Sequence, residues 1–171
     1  MENLVNFIIN LFAGLKATKF GRELLVIIIS AMPLLELRGG ILAAALLEVD
    51  PLLAYLIAII GNIIPVPFIL FFVKGFIKWL TKSKIKLFNK MANILNDKVQ
   101  KNKNKIEKYG YIGLLLFVGI PLPGTGAWCG TLMAAVLDMD KKKSFVCIAA
   151  GILMAGIIMM LISYGIIGQF I

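Results

Sequence analysis

Apolar residues along this chain run in long tracts that stop at a few sharp points. The tracts fill residues 24–35, 41–47, 51–73, 111–137 and 145–167. The longest approach the ~20 residues that a helix needs to cross a bilayer, so the pattern predicts an all-α integral membrane protein. Two tracts are interrupted in the middle. The first is split into "LLVIIISAM" and "ILAAALL" by "PLLELRGG"; the second holds "PLPGTG" at its centre. Each arm has only about 8 to 12 residues, too few to cross alone at about 1.5 Å per residue.

Two such arms fit a re-entrant hairpin, and they also fit an ordinary crossing kinked at its proline, which membrane helices tolerate. An internal repeat favours the hairpin. At an offset of 90 residues, Pro33 meets Pro123, Gly40 meets Gly130, Glu48 meets Asp138, Asp50 meets Asp140, Gly61 meets Gly151 and Gly75 meets Gly165. Over residues 24–76 there are 11 identities in 53 positions. The paired acids carry most weight, because apolar bias cannot create them. Each half then reads as a hairpin followed by a transmembrane helix, and the second half enters from the opposite face, making an inverted repeat.

The single membrane domain, 1–171, divides into an amphipathic N-terminal helix at 1–22, a first repeat at 23–76, a basic amphipathic linker at 77–110 and a second repeat at 111–168. In the N-terminal segment, Leu4, Ile8, Leu11 and Leu15 form a stripe opposite Asn3, Asn6 and Asn10, as in an interfacial helix. Residues 84–108 repeat that design with Phe88, Met91, Leu95 and Val99 among lysines. The apolar run after Lys16, Lys19 and Arg22 has a counterpart later in the chain, so it reads as part of the mature fold and not as a signal peptide.

Composition agrees. Of the 171 residues, 60% are hydrophobic, well above the roughly 45–50% of soluble domains. Eleven of the 18 basic residues are lysines between Lys74 and Lys108, which places that linker on the cytoplasmic side of a multi-pass cell-membrane protein. Lysines beside apolar helices read as snorkelling side chains, so nucleic acid is not expected as a partner. Hairpins and plain crossings both leave 14 basic residues on one side and three on the other, so charge does not choose between them. The chain has no histidine, and Cys129 and Cys147 both lie in apolar tracts. No cofactor, metal site or enzymatic constellation is expected.

Glu36 and Arg38 are the charges that fall inside the expected intramembrane segments, and an ionisable side chain at that depth marks a functional site. In the second break, Thr125 is placed to cap the outgoing helix. Each return arm starts at a tip, so two helix N-termini should point at mid-bilayer and attract an anion. Glu36 is the expected proton carrier. Arg38, Gly39, Gly40, Pro123, Gly124, Thr125, Gly126, Trp128 and Asn62 form the expected substrate site, although Asn62 equally suits an interhelical hydrogen bond. Two hairpins and two spans are too little protein to shield broken backbone from lipid, which predicts a homodimer or larger assembly.

At "PLLELRGG" and "GIPLPGTGAWCG" the chain resembles the small multi-drug export protein family, a branch of the wider DedA-like (VTT-domain) membrane proteins. The resemblance implies two inverted re-entrant hairpins and transport dependent on the proton-motive force. Some DedA-like relatives are implicated in returning polyprenyl-phosphate carriers across the membrane, and others scramble phospholipids. Such relatives typically carry arginine in the second hairpin, whereas Trp128 stands opposite Arg38 here. The resulting expectation is a proton-coupled exporter or flippase of a small amphipathic or anionic substrate, with lipid phosphates among the candidates. A membrane scaffold or assembly protein is the alternative.

Overall fold

The computed structural model describes residues 2–72, 110–122 and 124–167, all helix, turn or coil. The expected linker therefore lies outside the described residues except for Gly110, and so does Pro123. The helices are α1 (Glu2–Leu11), α2 (Ala13–Lys16), α3 (Lys19–Ala31), α4 (Glu36–Leu46), α5 (Pro51–Ile63), α6 (65–72), α7 (Gly110–Gly119), α8 (Ala127–Val136) and α9 (Lys141–Ile167).

Helix ends follow local chemistry. Thr18 caps α3 by accepting from the Gly21 amide at 3.1 Å. Asp50 caps α5 through the amides of Leu52 and Leu53, both at 3.1 Å, ahead of Pro51 at the first position. Asp140 does the same for α9, accepting from Lys143 N at 2.9 Å. Glu48 and Asp138 end α4 and α8 in the left-handed region, with φ of 55° and 57°. Behind them the amides of Val49 and Met139 reach back to the carbonyls of Ala44 and Ala134 at 2.9 and 3.0 Å, the closing bond of a Schellman turn. The four repeated acids thus mark two copies of one connection: helix end, left-handed residue, cap, next helix.

Helices α3 and α4 form an antiparallel pair. Ser30 packs on Gly40 beside the connecting turn, and Arg22 Nη1 donates to the Leu47 carbonyl at 3.1 Å at the other end. Helices α7 and α8 pair likewise, with Val118 on Gly130 and the Tyr111 hydroxyl accepting from Asp140 N at 3.1 Å. The same glycines organise both pairs. A methyl group at Gly61 would lie 2.9 Å from Ser30 Cβ, and one at Gly151 would lie 2.8 Å from Val118 Cβ. Ser30 thus meets Gly40 and Gly61, while Val118 meets Gly130 and Gly151. The offset is 88 before the turn and 90 after it, because residues 120–126 make a longer connection than residues 32–35.

The proline-interrupted run α5–α6 forms one apolar helix, Pro51–Phe72, of 22 residues, and α9 supplies a second, Lys141–Gly165, of 25; both are long and apolar enough to cross a membrane. They run antiparallel. The Tyr164 hydroxyl donates to the Val49 carbonyl at 2.8 Å, Tyr55 donates to Leu153 at 3.2 Å, and Lys141 Nζ lies 4.5 Å over the Phe71 ring. Against this frame the turn of α3–α4 lies level with Gly156, which touches Leu37, and the turn of α7–α8 lies level with Gly151 and Met154, which touch Val118 and Gly119. Both turns therefore reach the middle of α9, and they reach it from opposite ends, since the open end of α3–α4 is near Tyr164 and that of α7–α8 near Lys141.

Helix α4 is the centre of the fold, touching α1, α3, α5 and α9. Its buried residues include Gly39, Gly40, Ala43, Ala44 and Ala45, a small-residue surface that lets neighbours approach closely. Larger side chains such as Leu25, Ile29, Leu37, Ile41 and Ile152 fill the spaces around it.

The structure adds to one sequence expectation and corrects another. Of the N-terminal stripe, only Ile8 is fully buried; α1 turns Val5, Ile8 and Ile9 inward onto the core and leaves Leu4 and Leu11 exposed. Helix α1 is apolar on two adjacent faces, and contact with α4 selects the second. The break read as "PLLELRGG" is also shorter, because α4 already starts at Glu36, placing Arg38, Gly39 and Gly40 in helix.

Candidate functional site

Glu36 opens α4 with φ of 51°, a left-handed conformation that a non-glycine residue adopts only when its surroundings impose it. It is 6% exposed. Its carboxylate spans to the other helix pair, where Oε2 accepts from the Ala127 amide at 3.2 Å and Oε1 from the Trp128 amide at 3.1 Å. These amides open α8, whose own N-cap position, Gly126, has no side chain to offer. A carboxylate at a helix N-terminus satisfies orphan donors and meets the positive end of the helix dipole. The first tip caps the helix of the second.

Arg38 and Trp128 complete the junction in a crossed manner. Arg38 Nη2 donates to the Thr125 carbonyl at 2.9 Å and to Thr125 Oγ1 at 3.0 Å. In the reverse direction, Trp128 Nε1 donates to the Ala31 carbonyl at 3.2 Å, at the end of α3. Each tip thus sends one long side chain to a backbone carbonyl of the other. Thr125 Oγ1 also accepts from Leu122 N at 3.2 Å and shares its proton between the carbonyls of Ile120 and Leu122, at 2.9 and 2.8 Å. It knots its own loop. The expectation that Thr125 caps α8 is therefore overturned: Gly126 intervenes, and the cap comes from Glu36.

The structure brings together Glu36, Arg38, Thr125, Gly126 and Trp128. Gly39 and Gly40 face Leu35 and Ser30 inside the first pair and serve its packing. Gly124 lies exposed on the loop with φ of 86°. Asn62 is 2% exposed on α5, and its Oδ1 has no hydrogen-bond partner, nor does the buried Oγ of Ser30. The helix N-terminus expected to be open to an anion is occupied by Glu36. Sequence reading missed the receiving groups, namely the Ala127 amide and the Ala31 carbonyl, because backbone atoms leave no mark in residue identity. Among the described residues no three side chains of metal-ligating type come together, and neither Cys129 nor Cys147 is in a disulfide.

A family model of small multi-drug export proteins matches residues 36–158. The match begins at the capping glutamate, just after the first turn, takes in the second turn, and ends within α9. The chain belongs to this family. Its family name points to membrane transport and away from enzymatic chemistry, and the two long apolar helices agree with a membrane location. Searches of curated proteins and of solved structures returned no match.

Proposed function

We propose that this member of the small multi-drug export family is a proton-coupled exporter or flippase for a small amphipathic anion, with Glu36 as proton carrier. In this reading α3–α4 and α7–α8 are re-entrant hairpins of an inverted repeat. Their tips meet at mid-bilayer, the chain is multi-pass with its basic segment cytoplasmic, and two or more copies shield the short helices from lipid. The position of both turns beside the middle of α9, reached from opposite ends, supports it.

One observation carries the mechanism: a buried carboxylate sits on the α8 amides that an anionic substrate would use. Ionised Glu36 is a tethered occupant of that site. When it takes a proton, one oxygen becomes a donor, the paired acceptor geometry is lost and so is the attraction to the helix dipole. The amides of Ala127 and Trp128, with the Arg38 guanidinium beside them, are then open to a phosphate or carboxylate. Proton and substrate anion arrive together, and loss of the proton returns Glu36 to the amides and expels the anion; both cross in one direction, so an inward proton gradient drives the inward, flippase arm of the proposal, and export runs on an outward anion gradient. The test is pH-gradient-driven flux of amphipathic anions and lipid phosphates in proteoliposomes. Coupling should disappear in Glu36→Gln, and unchanged pH-dependent flux in that variant would overturn the assignment.

A membrane scaffold without transport is the second reading. It is favoured by the satisfaction of Glu36, Arg38 and Trp128 within one chain. It predicts that Arg38→Ala harms stability or assembly and leaves no substrate-specific defect.

A further inference from the structure

At the open end of the first helix pair, away from both tips, lies a cavity of about 290 Å³ lined by Lys19, Arg22, Glu23, Glu48, Asp50 and Leu53. Two cations and three carboxylates share it. Two of the five have structural work: Arg22 holds the Leu47 carbonyl and Asp50 caps α5. Lys19, Glu23 and Glu48 line the same recess. Beside them Phe20 and Leu52 are 74% and 70% exposed, apolar side chains at the start of α3 and of the span.

At the equivalent sequence positions the second half does not repeat the cations: Glu107 stands opposite Lys19. The repeat supplies Asp138 and Asp140 opposite Glu48 and Asp50, but the 88-residue offset that relates the incoming arms puts Gly110 opposite Arg22. This set of charges is therefore not explained by the repeat. It belongs to one membrane surface.

We propose that this recess is a headgroup site for a zwitterionic aminophospholipid, with the phosphate beside Lys19 and Arg22, the primary ammonium against Glu23 and Glu48, and the acyl chains along Phe20 and Leu52. Lys19, Arg22 and Glu23 lie on α3, and Glu48 and Asp50 follow α4 on the other side of the recess. The volume is on the order of ten waters at ~30 Å³ each, enough for a phosphoethanolamine group. An ammonium with three N–H donors satisfies carboxylates that a quaternary choline cannot. The adjoining apolar side chains favour a lipid over a soluble zwitterion. The inference rests on the reading that Pro51–Phe72 crosses the bilayer, and it is independent of Glu36.

The experiment is native mass spectrometry of the full-length protein with equimolar phosphatidylethanolamine, phosphatidylcholine and phosphatidylglycerol of identical chains. Retention of phosphatidylethanolamine over phosphatidylcholine is expected at about fivefold, the scale of one charged contact near a membrane surface. Glu23→Gln with Glu48→Asn should abolish that ratio and leave the fold intact, because Asn tolerates the left-handed conformation at 48. Lys19→Gln should lower all phospholipids together. Equal retention of the two zwitterions, preference for phosphatidylglycerol, or an unchanged ratio in the double variant overturns the proposal. So does displacement by micromolar glycerophosphoethanolamine, which would mean a soluble ligand. Glu36→Gln should keep the headgroup preference, so failure of the transport reading leaves a separate signature.

Discussion

Glu36 and Gly126 occupy one another's space: a methyl group at Gly126 would overlap the Glu36 carboxylate, whose Oε2 lies closest. Gly126 also has φ of 128° and ψ of −173°, a region open essentially to glycine alone. The glycine is thus the seat into which the other tip's acid fits, and the bonds to Ala127 and Trp128 follow from that fit.

Gly126→Ala should therefore cost roughly 3 kcal/mol or more, combining backbone strain with overpacking. Gly124→Ala is the control. Gly124 also has positive φ, but nothing lies within 4 Å of its missing side chain, so only about 1–2 kcal/mol is expected. Unfolding of both variants in detergent compares them; equal losses would mean that the acid does not occupy the seat.

Glu36→Gln keeps the shape and changes the chemistry. Its amide group must turn an N–H toward one of the two α8 amides, so one of them loses its acceptor. A folded protein weakened by about 2 kcal/mol is expected, against a larger loss for Glu36→Ala, which strands both amides. Chemical denaturation of the pair gives the order.

Arg38 and Thr125 should behave as a coupled pair. A double-mutant cycle with Arg38→Met and Thr125→Val is expected to show an interaction of about 1–2 kcal/mol, since Arg38 Nη2 contacts both oxygens of Thr125. A coupling near zero would detach the guanidinium from the second tip.

Ser30→Ala should be neutral or slightly stabilising, within about 0.5 kcal/mol. Its buried Oγ has no partner, so deletion removes an unsatisfied group. A loss above about 1.5 kcal/mol would show that the hydroxyl serves a buried water or a substrate group.

Much of this molecule is legible in the sequence, because apolar tracts make the exceptional residues conspicuous. Glu36 and Arg38 stand out as charges in an uncharged setting, and Pro121 to Gly126 stand out as a turn where a helix would otherwise continue. The repeated acids are visible at one fixed offset, although their work, a left-handed helix end and a cap, needs backbone angles to be seen. The register between the tips is not visible. That Glu36 reaches Ala127 and Trp128, that Gly126 displaces Thr125 from the cap, and that Trp128 answers Arg38 across the junction all depend on how two turns of unequal length meet. One-dimensional spacing holds no record of that meeting. The choice of α1's inward face is hidden for a similar reason, since both of its apolar faces satisfy the helical period and only α4 distinguishes them.

The most direct test follows Cys129, the third residue of α8, as a reporter of the cap. With Cys147→Ser leaving Cys129 as the sole cysteine, its labelling rate by a water-soluble maleimide is measured across pH, beside the same protein carrying Glu36→Gln. Each rate is divided by the thiolate fraction measured in that same protein, because the thiol and residue 36 both act on Arg38, and the ratio of the two corrected rates is followed. The account predicts that at high pH the Glu36 protein labels more slowly than the Gln variant, and that the ratio climbs toward one as acid protonates Glu36 and the tips part. A ratio that stays at one, or stays low at every pH, would contradict it.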